Sequence, residues 1–429
     1  MPNDSYKYDP QPCTADQGFE GGCIAVNLKS QFSLYQSTSD AENIDLFYQW
    51  LDEEDPEKPV IVVVNGGPGG GYESYAQLDD TILTLRNTHN ILFYDQRGVG
   101  KSSRVEKNTS LNQLMHFHTS ENIDDIEQLR TKVIRREKII LLGHSYGAHI
   151  AFGYAARYPN SVEKLLALNG AMDNKAFMLQ LDKRLEALHK IHKLLDVDKL
   201  EAFHRLLFRN EIFDAQGLLI SQEEFSEFIN SQITTFAGQD SIIYETYSKL
   251  FIINSFAISQ EIQLGFLNFT SSFTSINFAS NNLEDLNTAI NTHIVCHDFI
   301  GLVATALVDS SYALQNNISD NYKSFFKQRC SEPELFDPDQ IQIFDVTKAS
   351  DKIISPVLIV GGDSDPLTPL EVQVRDFEIL RATNDQTLFL EMQNTGHQVF
   401  YENPACLMRH VREFLSNPSE KSEKIFCDL

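Results

Sequence analysis

Ile139-Ile140-Leu141-Leu142-Gly143-His144-Ser145-Tyr146-Gly147-Ala148-His149-Ile150-Ala151-Phe152 is the stretch on which the reading of this chain turns. Its first four residues form a short apolar run, as expected of a buried strand. The residues from 148 to 156 have the composition and spacing of a helix. Between them lies G-x-S-x-G. A turn that tight forces Ser145 into a strained backbone conformation and points its hydroxyl out of the sheet, where a base can reach it. Gly143 and Gly147 are read as small because a side chain at either would collide with the neighbouring strand or helix. A bare G-x-S-x-G arises easily among 21 glycines in 429 residues, so the rest of the chain has to support the reading.

Moving outward, residues 22–64 read as β-rich, with Phe47-Tyr48-Gln49-Trp50-Leu51 as a strand. After the charged turn at 52–58, Pro59-Val60-Ile61-Val62-Val63-Val64 is a continuous β-branched run. Such a run fits a strand covered on both faces. Asn90-Ile91-Leu92-Phe93-Tyr94 and Lys164-Leu165-Leu166-Ala167-Leu168 are further strands. Residues 120–133 read as a helix, with acids early and bases late to suit the helix dipole. Strands alternating with helices predict an α/β fold whose sheet is mostly parallel, with helices on both faces. From 173 to 350 the pattern becomes helical, notably over 179–207 and 222–267, and predicts an inserted cap with a small core of its own. Strands return at Pro356-Val357-Leu358-Ile359-Val360 and Thr387-Leu388-Phe389-Leu390-Glu391, and a helix near 407–415 closes the chain. The predicted organisation is core at 1–172, cap at 173–350 and core again at 351–429.

A nucleophilic serine needs a base, an acid that orients the base, and donors for an oxyanion. The strand ending at Val360 runs into Gly361-Gly362-Asp363-Ser364-Asp365-Pro366-Leu367-Thr368-Pro369. The next runs into Asn394-Thr395-Gly396-His397. Ser145, Asp365 and His397 therefore follow one another in order, each just past a strand end, where ligands bind in open α/β sheets. Asp365 is preferred to Asp363, which directly follows the strand and reads as serving the turn. One oxyanion donor is expected at the N–H of Tyr146, and another in Asn65-Gly66-Gly67-Pro68-Gly69-Gly70-Gly71. Gly98-Val99-Gly100-Lys101-Ser102-Ser103 imitates a phosphate loop, but Asp95 stands where that motif needs its first glycine. His116/His118 and His189/His192 lack a metalloprotease frame and read as ordinary surface histidines. No metal and no cofactor are expected.

The net charge of −25 and pI near 4.8 argue against nucleic acid or an anionic membrane surface as partner. No apolar run approaches the roughly 20 residues of a spanning helix. The cysteines are Cys13, Cys23, Cys296, Cys330, Cys406 and Cys427, with no C-x-x-C pair. Sequence alone does not choose their pairing; the simplest joins neighbours as Cys13–Cys23, Cys296–Cys330 and Cys406–Cys427. Disulfides would imply a secreted or periplasmic protein. The first residues lack the charged and apolar regions of a signal peptide, so either the protein is cytosolic or such a peptide is missing from this chain; the cysteine pattern favours the second.

These motifs together resemble the prolyl iminopeptidase family of α/β-hydrolases. Strand, G-x-S-x-G and helix, followed by acid and then histidine, is that fold's order. Asn65-Gly66-Gly67-Pro68-Gly69 is similar to the family's H-G-G-P-G loop, with Asn65 in place of its usual histidine. Tyr94-Asp95-Gln96-Arg97-Gly98-Val99-Gly100-Lys101-Ser102 is similar to its D-Q-R-G-x-G-x-S segment. Ile294-Val295-Cys296-His297-Asp298, the Asp363–Pro369 loop and the cysteines at 406 and 427 resemble the secreted tripeptidyl-aminopeptidase-like branch. The resemblance covers roughly residues 20–170 and 345–429. It implies a serine exopeptidase with Ser145 as nucleophile, His397 as base, Asp365 as orienter, and the N–H groups of Gly67 and Tyr146 as oxyanion donors. A preference for proline is one form of that activity. It also implies a cap carboxylate for the substrate's free amine, with Glu245, Glu261 and Asp298 as candidates. A carboxylesterase or lipase on the same triad, or a binding protein without chemistry, are the other readings. A haloalkane-type hydrolase would need an aspartate at 145. The expected partner is a peptide or a small amide or ester; the oligomeric state is left open.

Overall fold

A computed structural model describes residues 13–16, 18–29, 43–78, 81–103, 116–172, 183, 193–209, 211–220, 225, 240–264, 294, 345–416 and 423–427. Its main strands are β1 (Gly21–Asn27), β2 (Asn43–Trp50), β3 (Val60–Val64), β4 (Asn90–Tyr94), β5 (Ile139–His144) and β6 (Val162–Leu168). The sheet is completed by β9 (Val357–Gly362), β10 (Thr387–Met392) and β11 (Glu423–Cys427). These nine pair in the order β1-β2-β4-β3-β5-β6-β9-β10-β11. From β4 to β11 every pairing is parallel, whereas β1–β2 and β2–β4 are antiparallel.

β3 shows why the sheet lies in the middle. All five of its residues are buried. Val60, Val62 and Val64 belong to one apolar cluster, Ile61 and Val63 to the other, because successive side chains alternate faces. The first cluster is closed by helices α1 (Thr119–Leu129), α2 (Tyr146–Arg157) and α6 (Leu370–Arg381). The second is closed by α8 (Pro404–Ser416), through Leu407, Met408, Val411 and Phe414. Each such side chain contributes about 1.5–3 kcal/mol when fully buried.

Helices α3 (Val197–Phe208), α4 (Asp240–Ile253) and α5 (Ser255–Leu264) share a separate cluster built around Phe203, Phe225 and Tyr247. The helical pattern missed a two-stranded ribbon there, β7 (Ile212–Phe213) with β8 (Leu219–Ile220). It closes through Gly217 at φ 78°, and its strands are too short to leave a periodic signal.

Three further expectations are corrected. The 3₁₀ helix Val346–Lys352 already packs Val346 and Ile353 into the main core, so the core resumes before residue 351. The helix expected over 120–133 ends as an α-helix at Leu129 and continues as a π turn over Arg130–Ile134, stopped by Arg135 in the left-handed region at φ 56°. His116 and His118 are not surface residues. Both are buried, with His116 Nδ1 3.6 Å and His118 Nε2 2.7 Å from the Glu121 carboxylate. Burial would raise the Glu121 carboxyl; the charge of His118 and the hydrogen bonds of both histidines hold it below the usual range. His189 and His192 lie outside the described residues.

Edge strand β11 was not anticipated either. Its Glu423, Lys424 and Phe426 are exposed, which erases the apolar run of a covered strand. Cys427 anchors it to Cys406 on α8, and Cys13 pairs with Cys23 of β1, with Cα atoms 6.1 and 5.8 Å apart. Both distances suit a disulfide. Cys296 and Cys330 lie outside the described residues. Among those residues no helix is long and apolar enough to cross a membrane. Alkylation without reductant should leave Cys13, Cys23, Cys406 and Cys427 unlabelled, and all four should react after reduction. Labelling before reduction would refute the pairing.

Candidate active site

The elbow is fixed by what surrounds two glycines. A Cβ on Gly147 would stand 2.0 Å from the Val64 carbonyl oxygen, and one on Gly143 would stand 2.5 Å from the Gly147 carbonyl oxygen. β5 and α2 can therefore join closely only with hydrogen at both places. Between them Ser145 adopts φ 57° and ψ −125°, a region that side-chain-bearing residues rarely occupy. Ser145 N–H donates to the Leu168 carbonyl at 2.9 Å, which holds the turn against β6. Its side chain is half-buried, unlike its neighbours. Tyr146 opens α2, so its N–H points out of the helix N-terminus.

The glycine loop after β3 approaches the same place. A Cβ on Gly66 would lie 3.1 Å from that of Ser145. Gly67 sits at φ 123°, where a side chain would also crowd the N atoms of Gly69 and Gly70 at 2.6 and 2.7 Å. Among the described residues Gly67 N–H donates to nothing. Asn65 Nδ2 donates to the Tyr94 carbonyl and Gln96 Nε2 to the Asn65 carbonyl, at 2.8 and 2.7 Å, tying this loop to the end of β4. The phosphate-loop look-alike that follows is filled by its own anion. Asp95 accepts from the N–H groups of Tyr72 and Lys101 at 2.8 Å each, and a Cβ on Gly100 would strike its carboxylate. Burial pushes the Asp95 carboxyl up to about 6, against the pull of those N–H groups.

Asp365 and His397 meet directly. His397 Nδ1 lies 2.8 Å from Asp365 Oδ2, and both residues are buried. The carboxylate is fully committed. Oδ1 accepts from the N–H groups of Leu367 and Thr368, at 2.8 and 3.1 Å, and Oδ2 accepts from the Thr368 hydroxyl at 2.6 Å. With Oδ2 accepting, the imidazole carries its proton on Nδ1 and presents Nε2 as a base. Asp363 serves its loop, as expected: it is exposed and accepts from Ser364 Oγ and Thr395 N–H, at 3.0 and 3.2 Å.

The residues that hold this geometry left little trace in the sequence. Asn169, just past β6 at φ 40°, donates to the Gly396 carbonyl at 2.7 Å and accepts from Gly362 N–H at 3.0 Å. An Asn-Gly pair following a strand was the available signal. Glu402, on α7 (Val399–Glu402), accepts from Gly396 N–H with both oxygens, at 3.1 and 3.0 Å, and nothing local marks it. Burial, with the nearby charges of Asp365 and Asp363, pushes its carboxyl up to about 7 although the Gly396 N–H groups pull the other way.

The cap candidates for an amine site fare differently. Glu245 on α4 is exposed and faces Lys249 Nζ at 3.4 Å, which is not the dry pocket that amine binding calls for. Glu261 belongs to α5, and Asp298 lies outside the described residues.

Because Glu402 binds its proton more tightly in the folded chain than in the unfolded one, its contribution to stability falls as pH rises from about 4.5 to about 7. Glu402→Gln, which cannot ionise, should lose that slope. Its stability relative to the natural chain, read by denaturant unfolding, should improve steadily between about pH 5 and about pH 8. A difference that does not change with pH would contradict the assignment.

A family model described as alpha/beta hydrolase fold matches residues 59–243, and one described as TAP-like protein matches residues 327–427. The proline iminopeptidase of Saccharolobus solfataricus is 32% identical over 164 residues, which are 38% of this chain and 49% of that protein. The proline iminopeptidase of Lactobacillus helveticus is 29% identical over 163 residues, 38% of this chain and 50% of that protein. The chain thus spans about half the length of the curated relatives it matches. Among solved structures, a proline iminopeptidase from Mycobacterium smegmatis aligns at 14% identity and TM-score 0.44, over 87% of this chain and 95% of that one. With the sheet order, the elbow and both family models in agreement, the chain has the α/β-hydrolase fold and is similar, over its two halves, to prolyl iminopeptidases and to TAP-like proteins.

Proposed function

We propose that this hydrolase is a serine exopeptidase that cleaves peptide bonds near a free N-terminus, with proline as one residue it would release. The observation that carries the chemistry is the Asp365–His397 contact of 2.8 Å, together with an elbow serine at positive φ whose neighbour His144 meets the His397 carbonyl at 3.0 Å. In this reading Ser145 Oγ attacks the scissile carbonyl carbon while His397 Nε2 takes its proton. The oxyanion that forms is met by the N–H groups of Gly67 and Tyr146. His397 returns the proton to the leaving amine, and an acyl-enzyme remains on Ser145. Water then repeats the sequence, with its proton going to His397 and the Ser145 oxygen leaving protonated. Asp365 keeps His397 in the tautomer that accepts at Nε2. The choice of an N-terminal amide as substrate rests on the proline iminopeptidase relatives and the TAP-like match. Substrate selection is assigned in this reading to the expected cap, residues 173–350. The Cys13–Cys23 and Cys406–Cys427 pairs favour a secreted or periplasmic setting.

A panel of aminoacyl and prolyl arylamides, their N-blocked counterparts and short-chain esters tests this. Free-amine arylamides should turn over, N-blocked ones should lose at least about ten-fold in kcat/KM, and Ser145→Ala should abolish turnover. Turnover of esters alone would replace the peptidase reading with a carboxylesterase or lipase. Unchanged turnover in Ser145→Ala would remove the serine from the mechanism. Binding with no turnover on any member would leave a non-catalytic binding protein.

A further inference from the structure

We propose that His144 and Tyr75 are positioning residues that form one hydrogen-bonded strut, locking the glycine loop and the His397 loop onto the elbow. The proposal rests on the serine-hydrolase reading. His144 immediately precedes Ser145 at the end of β5, with its side chain buried on the sheet's second face. Its Nδ1 lies 2.8 Å from the Tyr75 hydroxyl and its Nε2 lies 3.0 Å from the His397 carbonyl oxygen. The same hydroxyl lies 2.9 Å from Gly66 N.

Proton counting fixes every direction in this chain. The His397 carbonyl oxygen can only accept, so His144 Nε2 carries a proton and donates it. Burial pushes the His144 imidazole down to about 3, with the neighbouring His397 adding to the effect. The ring is therefore neutral, and Nδ1 is left as an acceptor. Tyr75 must then donate its O–H to Nδ1, and its oxygen accepts the Gly66 N–H. The order is Gly66 N–H to Tyr75, Tyr75 to His144, and His144 to the His397 carbonyl. Each buried polar atom in it has one partner of the right kind, and no alternative arrangement satisfies all of them.

The ends of the strut are what give it consequence. Gly66 precedes Gly67, whose N–H is the proposed oxyanion donor. His397 is the proposed base, and the strut holds its backbone while Asp365 holds its ring. The middle is the residue beside the nucleophile. Phe400 braces the assembly edge-on, with ring centroids 5.2 Å from His144 and 6.2 Å from Tyr75. A purely structural role would predict loss of stability when the strut is cut, with normal reactivity in the molecules that remain folded. A positioning role predicts loss of reactivity in folded protein.

The test is the rate of phosphonylation of Ser145 by an alkyl fluorophosphonate, measured on folded protein beside its melting temperature. In that reaction the Ser145 oxygen bonds to phosphorus, fluoride leaves, and His397 takes the serine proton. His144→Phe and Tyr75→Phe should each slow the rate by about 10- to 100-fold, the cost expected of misplacement near 1 Å. His144→Gln can place an amide N–H near the position of Nε2 and restore the bond to His397. It should recover most of the rate, to within about ten-fold of the natural chain. His144→Asn can reach Tyr75 but not His397, and should remain slow. The proposal is overturned if His144→Phe and Tyr75→Phe react within about two-fold of the natural chain, or if Gln rescues no better than Asn. A natural chain that is not phosphonylated at Ser145, or a Ser145→Ala variant labelled equally, would instead overturn the serine-hydrolase reading and take the strut with it.

Discussion

The close approach of the β5–α2 elbow to the end of β3 is the constraint on which the rest depends. With a Cβ on Gly147 only 2.0 Å from the Val64 carbonyl oxygen, no larger residue fits between strand and helix. The helix can start there only if the chain reverses within one residue, and Ser145 is that residue. The cost of its positive φ, of order 1–3 kcal/mol, is carried by two apolar clusters that bury β3, β5 and β6 on both faces. The strained serine is thus a product of core packing, and its neighbours in space are set by the same packing. The glycine loop follows β3, the Asp365 loop follows β9, and the His397 loop follows β10. Four strands of the parallel part of the sheet, β3, β5, β9 and β10, deliver these loops and the elbow at their carboxyl ends.

How much of this was readable in the sequence depended on the kind of signal. The covered strands announced themselves as unbroken apolar runs, and the serine, acid and histidine each followed such a run. Asp365 is preferred to Asp363 on a finer ground, that Asp363 directly follows the strand and serves its turn. The features that escaped have no period and no motif. Glu402 and Tyr75 act through hydrogen bonds to backbone N–H groups of the His397 loop and the glycine loop, six and nine residues away. His144 occupies a position that G-x-S-x-G leaves free, yet it contacts Tyr75 and the His397 loop. His116 and His118 looked like surface residues because their partner, Glu121, is what makes their burial affordable, and pairing is not visible in composition. Edge strand β11 was hidden by the polar residues that keep an open edge from aggregating.

The chemistry and its selectivity have separate supports. The loops around Ser145 are cross-tied by Asn169, Asp95, His144 and Glu402. Phe203, Phe225, Tyr247 and Phe251 form an aromatic cluster separate from the two that bury the sheet. The strongly acidic surface of the whole chain would attract a cationic N-terminus in the general way that net charge does, through the long-range field rather than a specific contact. The exposed Glu245 belongs to that field and not to a dry binding pocket.

The central claim is that Asp365, and not its neighbour Asp363, holds His397 in the tautomer that activates Ser145. Turnover of the fastest arylamide by Asp365→Asn and by Asp363→Asn measures it most directly. The account predicts that kcat falls by about 10⁴-fold in Asp365→Asn, and by no more than about ten-fold in Asp363→Asn. Equal losses, or a larger loss at Asp363, would contradict it.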